Sequence, residues 1–137
     1  MSETHFIGKV TQKAIVYHDG KILLNRDMGD DHYDLPGGRI DLGEEPALGL
    51  AREMREELGI EVEVGDPIHV CQTLWGREKT QHFFIVYEAL LLSTLDEIMA
   101  DGVEVEEVRW ATPEELESIA IYSECVLAIK KYLSKKT

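Results

Sequence analysis

The run from Gly38 to Ile60, GRIDLGEEPALGLAREMREELGI, constrains the fold of this chain more than any other stretch. Pro46 suits the first turn of a helix, where its fixed φ is helical and its missing N–H would have no partner. Gly59 suits the stop, because a residue without Cβ takes the left-handed C-cap conformation at little cost. The spacing predicts a helix over residues 45–58, with Ala47, Ala51, Met54 and Leu58 at core spacing. Glu53, Glu56 and Glu57 project into a different arc of about 100°. One helix can therefore dock on a core and still present these carboxylates side by side.

Such crowding needs a cause. Like charges at i,i+3 and i,i+4 destabilise a helix by a few tenths of a kcal/mol per pair, and Arg52 and Arg55 offset only part of this. A solvated acidic face is the simplest account of EMREE taken alone. A divalent cation is the other, since hard ions such as Mg²⁺ prefer carboxylate oxygens and water. The full spacing changes the odds between these two readings. Gly38, five residues, Glu44, seven residues, Arg52-Glu53, apolar Met54, any residue, Glu56-Glu57, any residue, Gly59 and apolar Ile60 follow one another without a gap. A chance match in a chain of this length is on the order of 10⁻⁷ or rarer. The pattern resembles the complete signature of the Nudix hydrolases.

Residues outside the signature narrow the class. A chain of 137 residues fits one domain, taken as 1–137. No apolar run approaches the roughly 20 residues of a membrane span, and the N-terminus lacks the parts of a signal peptide. Cys71 and Cys125 form no CxxC or disulfide framework, so a cytoplasmic location and two small buried hydrophobes are expected. A net charge of −13 argues against a nucleic-acid surface. It leaves a phosphate substrate open, because a bound cation reverses the local sign.

Strands are expected at residues 9–18 and 21–26, joined by an Asp19-Gly20 turn, and at 33–35, stopped by Pro36-Gly37-Gly38. Residues 61–75 read as strand broken by a Gly65-Asp66-Pro67 turn, followed by strands at 80–92 and 105–110. Thr112 caps a helix begun by Pro113. Residues 123–135 form an amphipathic helix with Val126, Leu127, Ile129 and Leu133 on its apolar side. Strands mixed with helices imply an α/β fold with a mixed β-sheet covered by helices. The resemblance sharpens this to an α/β/α sandwich with the signature as a loop–helix–loop at one edge.

The resemblance also implies chemistry. Glu53, Glu56 and Glu57 are expected to hold Mg²⁺ or Mn²⁺, with a backbone carbonyl of Gly37 or Gly38. Glu44 and Arg52 form a structural brace. The base that deprotonates water is Glu53 first, or an acid among Asp96, Glu97, Asp101, Glu104, Glu106 and Glu107. Arg26, Arg39 and Arg77, with Lys79, are candidate phosphate clamps. His82 reads as a wall residue, and Trp75, Tyr33 and Tyr122 as core or as platforms for a base. In the branch that acts on oxidised guanine nucleotides, an aromatic precedes Pro-Gly-Gly and an Asn lies near the last helix. Leu35 and Ser123 stand there instead.

The implied activity is Mg²⁺-dependent hydrolysis of a nucleoside diphosphate linked to a further group, by water attack on phosphorus. A nucleotide-sensing module without catalysis is the alternative, and such modules often lack signature glutamates that this chain retains. A decapping enzyme would carry more basic surface. The expected partner is a small nucleotide, with no nucleic acid or membrane, and the chain is expected to be a monomer or homodimer.

Overall fold

The structure is a computed structural model that describes residues 5–75, 78–94 and 98–136. Its strands are β1 (Lys9–His18), β2 (Lys21–Asp27), β3 (Gly37–Arg39), β4 (Val62–Trp75), β5 (Thr80–Leu91) and β6 (Val105–Ala111). The helices are α1 (Pro46–Leu58) and α2 (Ser123–Ser134), with a 3₁₀ turn at Pro113–Glu117. None of the described helices is long and apolar enough to cross a membrane.

The sheet runs β4-β5-β1-β2-β6, with β3 also on β1. β1 and β5 are parallel and the other pairs antiparallel, so the sheet is mixed, as expected. Asp19 and Gly20, at φ 53° and 77°, make the tight turn that sends β2 back along β1. That pairing uses only the end of β1, Tyr17 and His18. Its start is free to take β3, with Thr11, Gln12 and Lys13 opposite Arg39, Gly38 and Gly37. The signature loop is thereby held at the beginning of β1.

Side chains alternate across the central strands. Ala14, Val16 and Leu23 pack with Leu50, Met54 and Leu58 of α1. Ile15, Ile22 and Leu24 pack with Cys125, Ala128, Ile129 and Tyr132 of α2. Both faces are covered, so these strands read as continuous apolar runs. Burying each large aliphatic side chain contributes about 1.5–3 kcal/mol, which fixes α1 firmly enough to present its other face. Glu45 caps α1 through Leu48 N–H, and Gly59 closes it at φ 70°.

Several expectations are corrected. Gly49 and Leu50, not Ala47, join Met54 and Leu58 on the buried face of α1. Leu127 is 62% exposed, whereas Ile129 is buried as expected, with Cys125, Ala128 and Tyr132, and Val126 and Leu133 pack against that core. Residues 33–35 make only isolated bridges, because Tyr33 N–H bonds Ala120 O while Asp34 pairs with Asn25. The strand lies just beyond, at Gly37–Arg39. Gly65-Asp66-Pro67 is an irregularity within one long strand. β4 is an edge strand, where a proline costs no ladder bond.

Candidate active site

Arg52 organises the signature. Its Nε donates to Glu44 Oε2 at 2.7 Å and its Nη2 to Glu44 Oε1 at 3.0 Å, a two-point grip. The same guanidinium donates to Glu56 Oε1 at 2.9 Å and Asp41 Oδ2 at 3.2 Å, and its Nη2 lies 3.7 Å from Glu53 Oε1. Glu44 is held below the usual carboxylate range by its hydrogen bonds from Arg52. Gly49 makes room for this brace, since a Cβ there would lie 2.7 Å from Glu44 Oε1. The sequence offered only a weak signal for that role, a glycine inside a helix.

Glu53 turns from α1 toward β3. A Cβ on Gly38 would fall 2.8 Å from its carboxyl carbon, so the missing side chain is the cradle that admits the carboxylate. Gly37 is needed for the sheet: at φ 150°, any side chain would strike Gln12 O at 2.0 Å. Glu57 lies beside Glu53 and is pushed far above the usual carboxylate range. Burial is the leading cause, then hydrogen bonding and repulsion from Glu53, then Glu104, with Lys13 opposing. Crowding against Glu53 is thus part of what disfavours a charge on Glu57. An all-oxygen donor set beside exposed backbone suits a hard divalent ion.

The loop acids separate by their partners. Asp101 accepts the backbone N–H groups of Val103, Glu104 and Val105. Glu106 and Glu107 hold Arg26, and Glu107 also accepts Tyr33 O–H at 2.8 Å. Arg26 is thus already neutralised. Glu104 is exposed, repels Glu57 and Asp27, and accepts no side-chain hydrogen bond among the described residues. Arg77, Asp96 and Glu97 lie outside the described residues.

Next to the glutamates is a pocket of about 260 Å³. Arg39, adjacent to Gly38, lines it together with Trp75, His82, Phe84 and Tyr122. Trp75 meets Tyr122 edge-on at 4.4 Å, and His82 stacks on Phe84 at 5.8 Å. His82 and Trp75 line the pocket, and Tyr122 both lines it and packs against the core cluster beside α2. Cys125 is buried as expected, but Cys71 is half-buried, and both line the cavity. At the pocket floor, Lys13 Nζ pairs with Asp34 Oδ2 at 3.1 Å, and Cys125 Sγ donates to Asp34 Oδ1 at 3.0 Å. Burial is the largest influence and lowers the Lys13 pKa, but Asp34, Cys125 and Asp27 together outweigh it, so the amine is held above its ordinary value. Lys13 sat in a strand pattern and gave no signal of this role.

A separate group, Asp30, Asp31 and His32, brings its ligand atoms within 4.8 Å of one another. Its members are engaged locally: Tyr122 O–H donates to Asp30, and His32 Nδ1 lies 2.8 Å from Asp31.

The NUDIX domain family model matches residues 10–128. A MutT-like protein of Streptomyces ambofaciens is 33% identical over 103 residues, which are 75% of this chain and 62% of that protein. A CTP pyrophosphohydrolase of Escherichia coli is 44% identical over 57 residues, 39% of this chain and 42% of that enzyme. The matches thus span less than two thirds of these relatives. A solved NUDIX hydrolase from Nitrosomonas europaea superposes with a TM-score of 0.80, at 18% identity, over 95% of this chain and 91% of that one. That likeness shows the fold.

Proposed function

The chain belongs to the NUDIX family, and from that premise we propose that it is a Mg²⁺- or Mn²⁺-dependent pyrophosphohydrolase of small nucleotides. The observation that carries the reading is the placement of Glu53 and Glu57, crowded together where Gly38 leaves room for a carboxylate, close to the aromatic pocket. The Escherichia coli relative is named as a CTP pyrophosphohydrolase, which supports a nucleoside triphosphate as the substrate class.

Glu53, Glu56 and Glu57, with backbone at Gly37 or Gly38, would hold the metal, which when bound neutralises charge on the phosphoryl oxygens. Arg52 and Glu44 keep the helix face and its loop in register, so the carboxylates are in place before substrate arrives. Arg39 faces the pocket and clamps a phosphate that does not react. Trp75, Phe84 and Tyr122 enclose the base. Glu53 takes a proton from the attacking water; the water oxygen bonds to the α-phosphorus and the bond from that phosphorus to the bridging oxygen breaks. The products are a nucleoside monophosphate and pyrophosphate. Glu104 is the described loop acid best placed to rival Glu53 as base.

Incubation of purified protein with CTP, ATP and GTP, with and without Mg²⁺, tests this by release of pyrophosphate. Hydrolysis in ¹⁸O-labelled water is expected to place the label in the monophosphate. Label in pyrophosphate would keep the carboxylate site but move the attacked phosphorus. Absence of turnover on every nucleotide offered, with nucleotide still bound, would make the chain a sensor.

A further inference from the structure

We propose that the aromatic pocket selects nucleobases carrying an exocyclic amino group, and that Glu124 reads that group. Cytosine, adenine and guanine are then preferred over uracil and thymine. The inference rests on the nucleotide reading above and adds a specificity-determining residue to it.

Four carboxylates line the pocket: Asp27, Asp30, Asp34 and Glu124. Three are already engaged. Asp27 accepts from Asn25 Nδ2 at 3.0 Å, Asp30 from Tyr122 O–H, and Asp34 from both Lys13 and Cys125. Glu124 differs. Its Oε2 is enclosed without any hydrogen-bond partner, and its Oε1 has only Ser123 Oγ at 3.5 Å. A carboxylate accepts and does not donate when ionised, and an enclosed oxygen without a donor costs stability that a ligand N–H can recover. The loose contact to Ser123 leaves the group free to turn toward a base lodged against the aromatic wall of Trp75 and Phe84.

His82 supplies the second half of the reading. Its Nδ1 is enclosed and unpartnered on the same pocket wall. Burial first, then Lys9, Arg39 and Lys13, disfavours its charged form. A neutral imidazole offers a donor or an acceptor according to its tautomer, so it adapts to the ring nitrogen beside the amino group. Uracil and thymine present a carbonyl where cytosine presents –NH₂. A carbonyl oxygen turned toward Glu124 meets repulsion and leaves Oε2 unsatisfied. Sites that hydrogen-bond a substrate group reject analogues that lack it far more strongly than apolar pockets do.

CTP and UTP differ at this edge and share the rest of the molecule, so they are the matched pair. Wild-type kcat/KM is expected to favour CTP by at least ~10-fold. In Glu124→Gln, whose amide also offers an N–H, CTP is expected to fall and UTP to rise, collapsing the ratio toward one. Circular dichroism checks that the variant folds. Quenching of tryptophan fluorescence by CMP and UMP gives the same ranking without turnover, because Trp75 lines the pocket. Equal CTP and UTP rates, or a wild-type ratio in Glu124→Gln, would overturn the inference while leaving the hydrolase reading standing. Tighter binding of CMP than UMP with no hydrolysis of any triphosphate would do the reverse.

Discussion

Replacing Gly38 by alanine separates the catalytic geometry from the fold. The added methyl would sit 2.8 Å from the carboxyl carbon and Oε2 of Glu53 and 2.9 Å from Oε1. Ordinary contact between such atoms begins near 3.5 Å, so the carboxylate must retreat by about half an ångström or more. Misplacement on the order of 1 Å at a reacting centre costs about 10²-fold in rate, equivalent to about 2.7 kcal/mol of transition-state stabilisation. Stability should move little. Gly38 does not require positive φ, and alanine restricts the unfolded chain, a gain of about 0.4–1 kcal/mol where the native conformation is allowed. That gain offsets the strain of moving a flexible carboxylate. The assay is kcat/KM by pyrophosphate release, paired with the melting temperature. Activity within threefold of wild type would refute the placement of Glu53 at the reacting phosphorus. A collapse in melting temperature with activity intact in the remaining folded fraction would make Gly38 a residue of the sheet alone.

Three other outcomes are expected. Arg52→Lys, which keeps the charge but not the two-point grip on Glu44, should lower both melting temperature and kcat/KM; unchanged stability with lost activity would make Arg52 a substrate contact. Glu53→Gln should lose about 10²- to 10⁴-fold in kcat and flatten the acidic limb of the pH–rate profile, while Glu104→Gln loses less than tenfold; the opposite ranking would move the base to the loop. Glu115 accepts Thr112 N–H and then pairs with Arg109, which brings its pKa down to about 2. A depressed folded-state pKa contributes stability that is present above the ordinary value near 4.5 and is lost as pH falls toward 2. Urea midpoints of wild type should therefore drop across that interval more than those of Glu115→Gln, and parallel curves would contradict the assignment.

What the sequence disclosed was local. Thr112 caps the turn that Pro113 begins, as expected, although it is a 3₁₀ turn and Glu115 completes a capping box there. Pro46 and Gly59 bound α1 because each acts through its own backbone. The Arg52–Glu44 pair, which the family resemblance implies, joins residues eight apart on a loop and a helix, which meet without help from distant elements. The pocket is different in kind. Trp75 ends β4 and Tyr122 precedes α2, and only the order of strands brings them within 4.4 Å. Glu124, not its neighbour Ser123, lines that wall. A one-residue choice on a helix depends on how it is rotated against the sheet, and the apolar pattern misjudged that rotation when it placed Leu127 on the buried side.

The position of β3 explains how glutamates on one face of the sheet can serve a pocket on the other. α1 packs on the side of Ala14 and Val16, and α2 on the side of Ile15. A full-length pairing of β2 along β1 would wall one side from the other. Instead β2 leaves β1 after Tyr17, and three residues of β3 take its place. Their glycines bring the chain close to Glu53 on one side, while Arg39 lines the pocket on the other. Lys13 lies opposite Gly37 in this pairing, bonded to Asp34 at the pocket floor and close enough to Glu57 to oppose its rise in pKa. On the proposed reading, a nucleotide crosses that narrow strand, its base against the aromatic walls and its phosphates against the glutamates. The buried amine of Lys13, held by Asp34, then lies between the two subsites. On the same reading the short strand and its paired glycines belong to the site, because a Cβ at Gly38 would occupy the space that the Glu53 carboxylate takes.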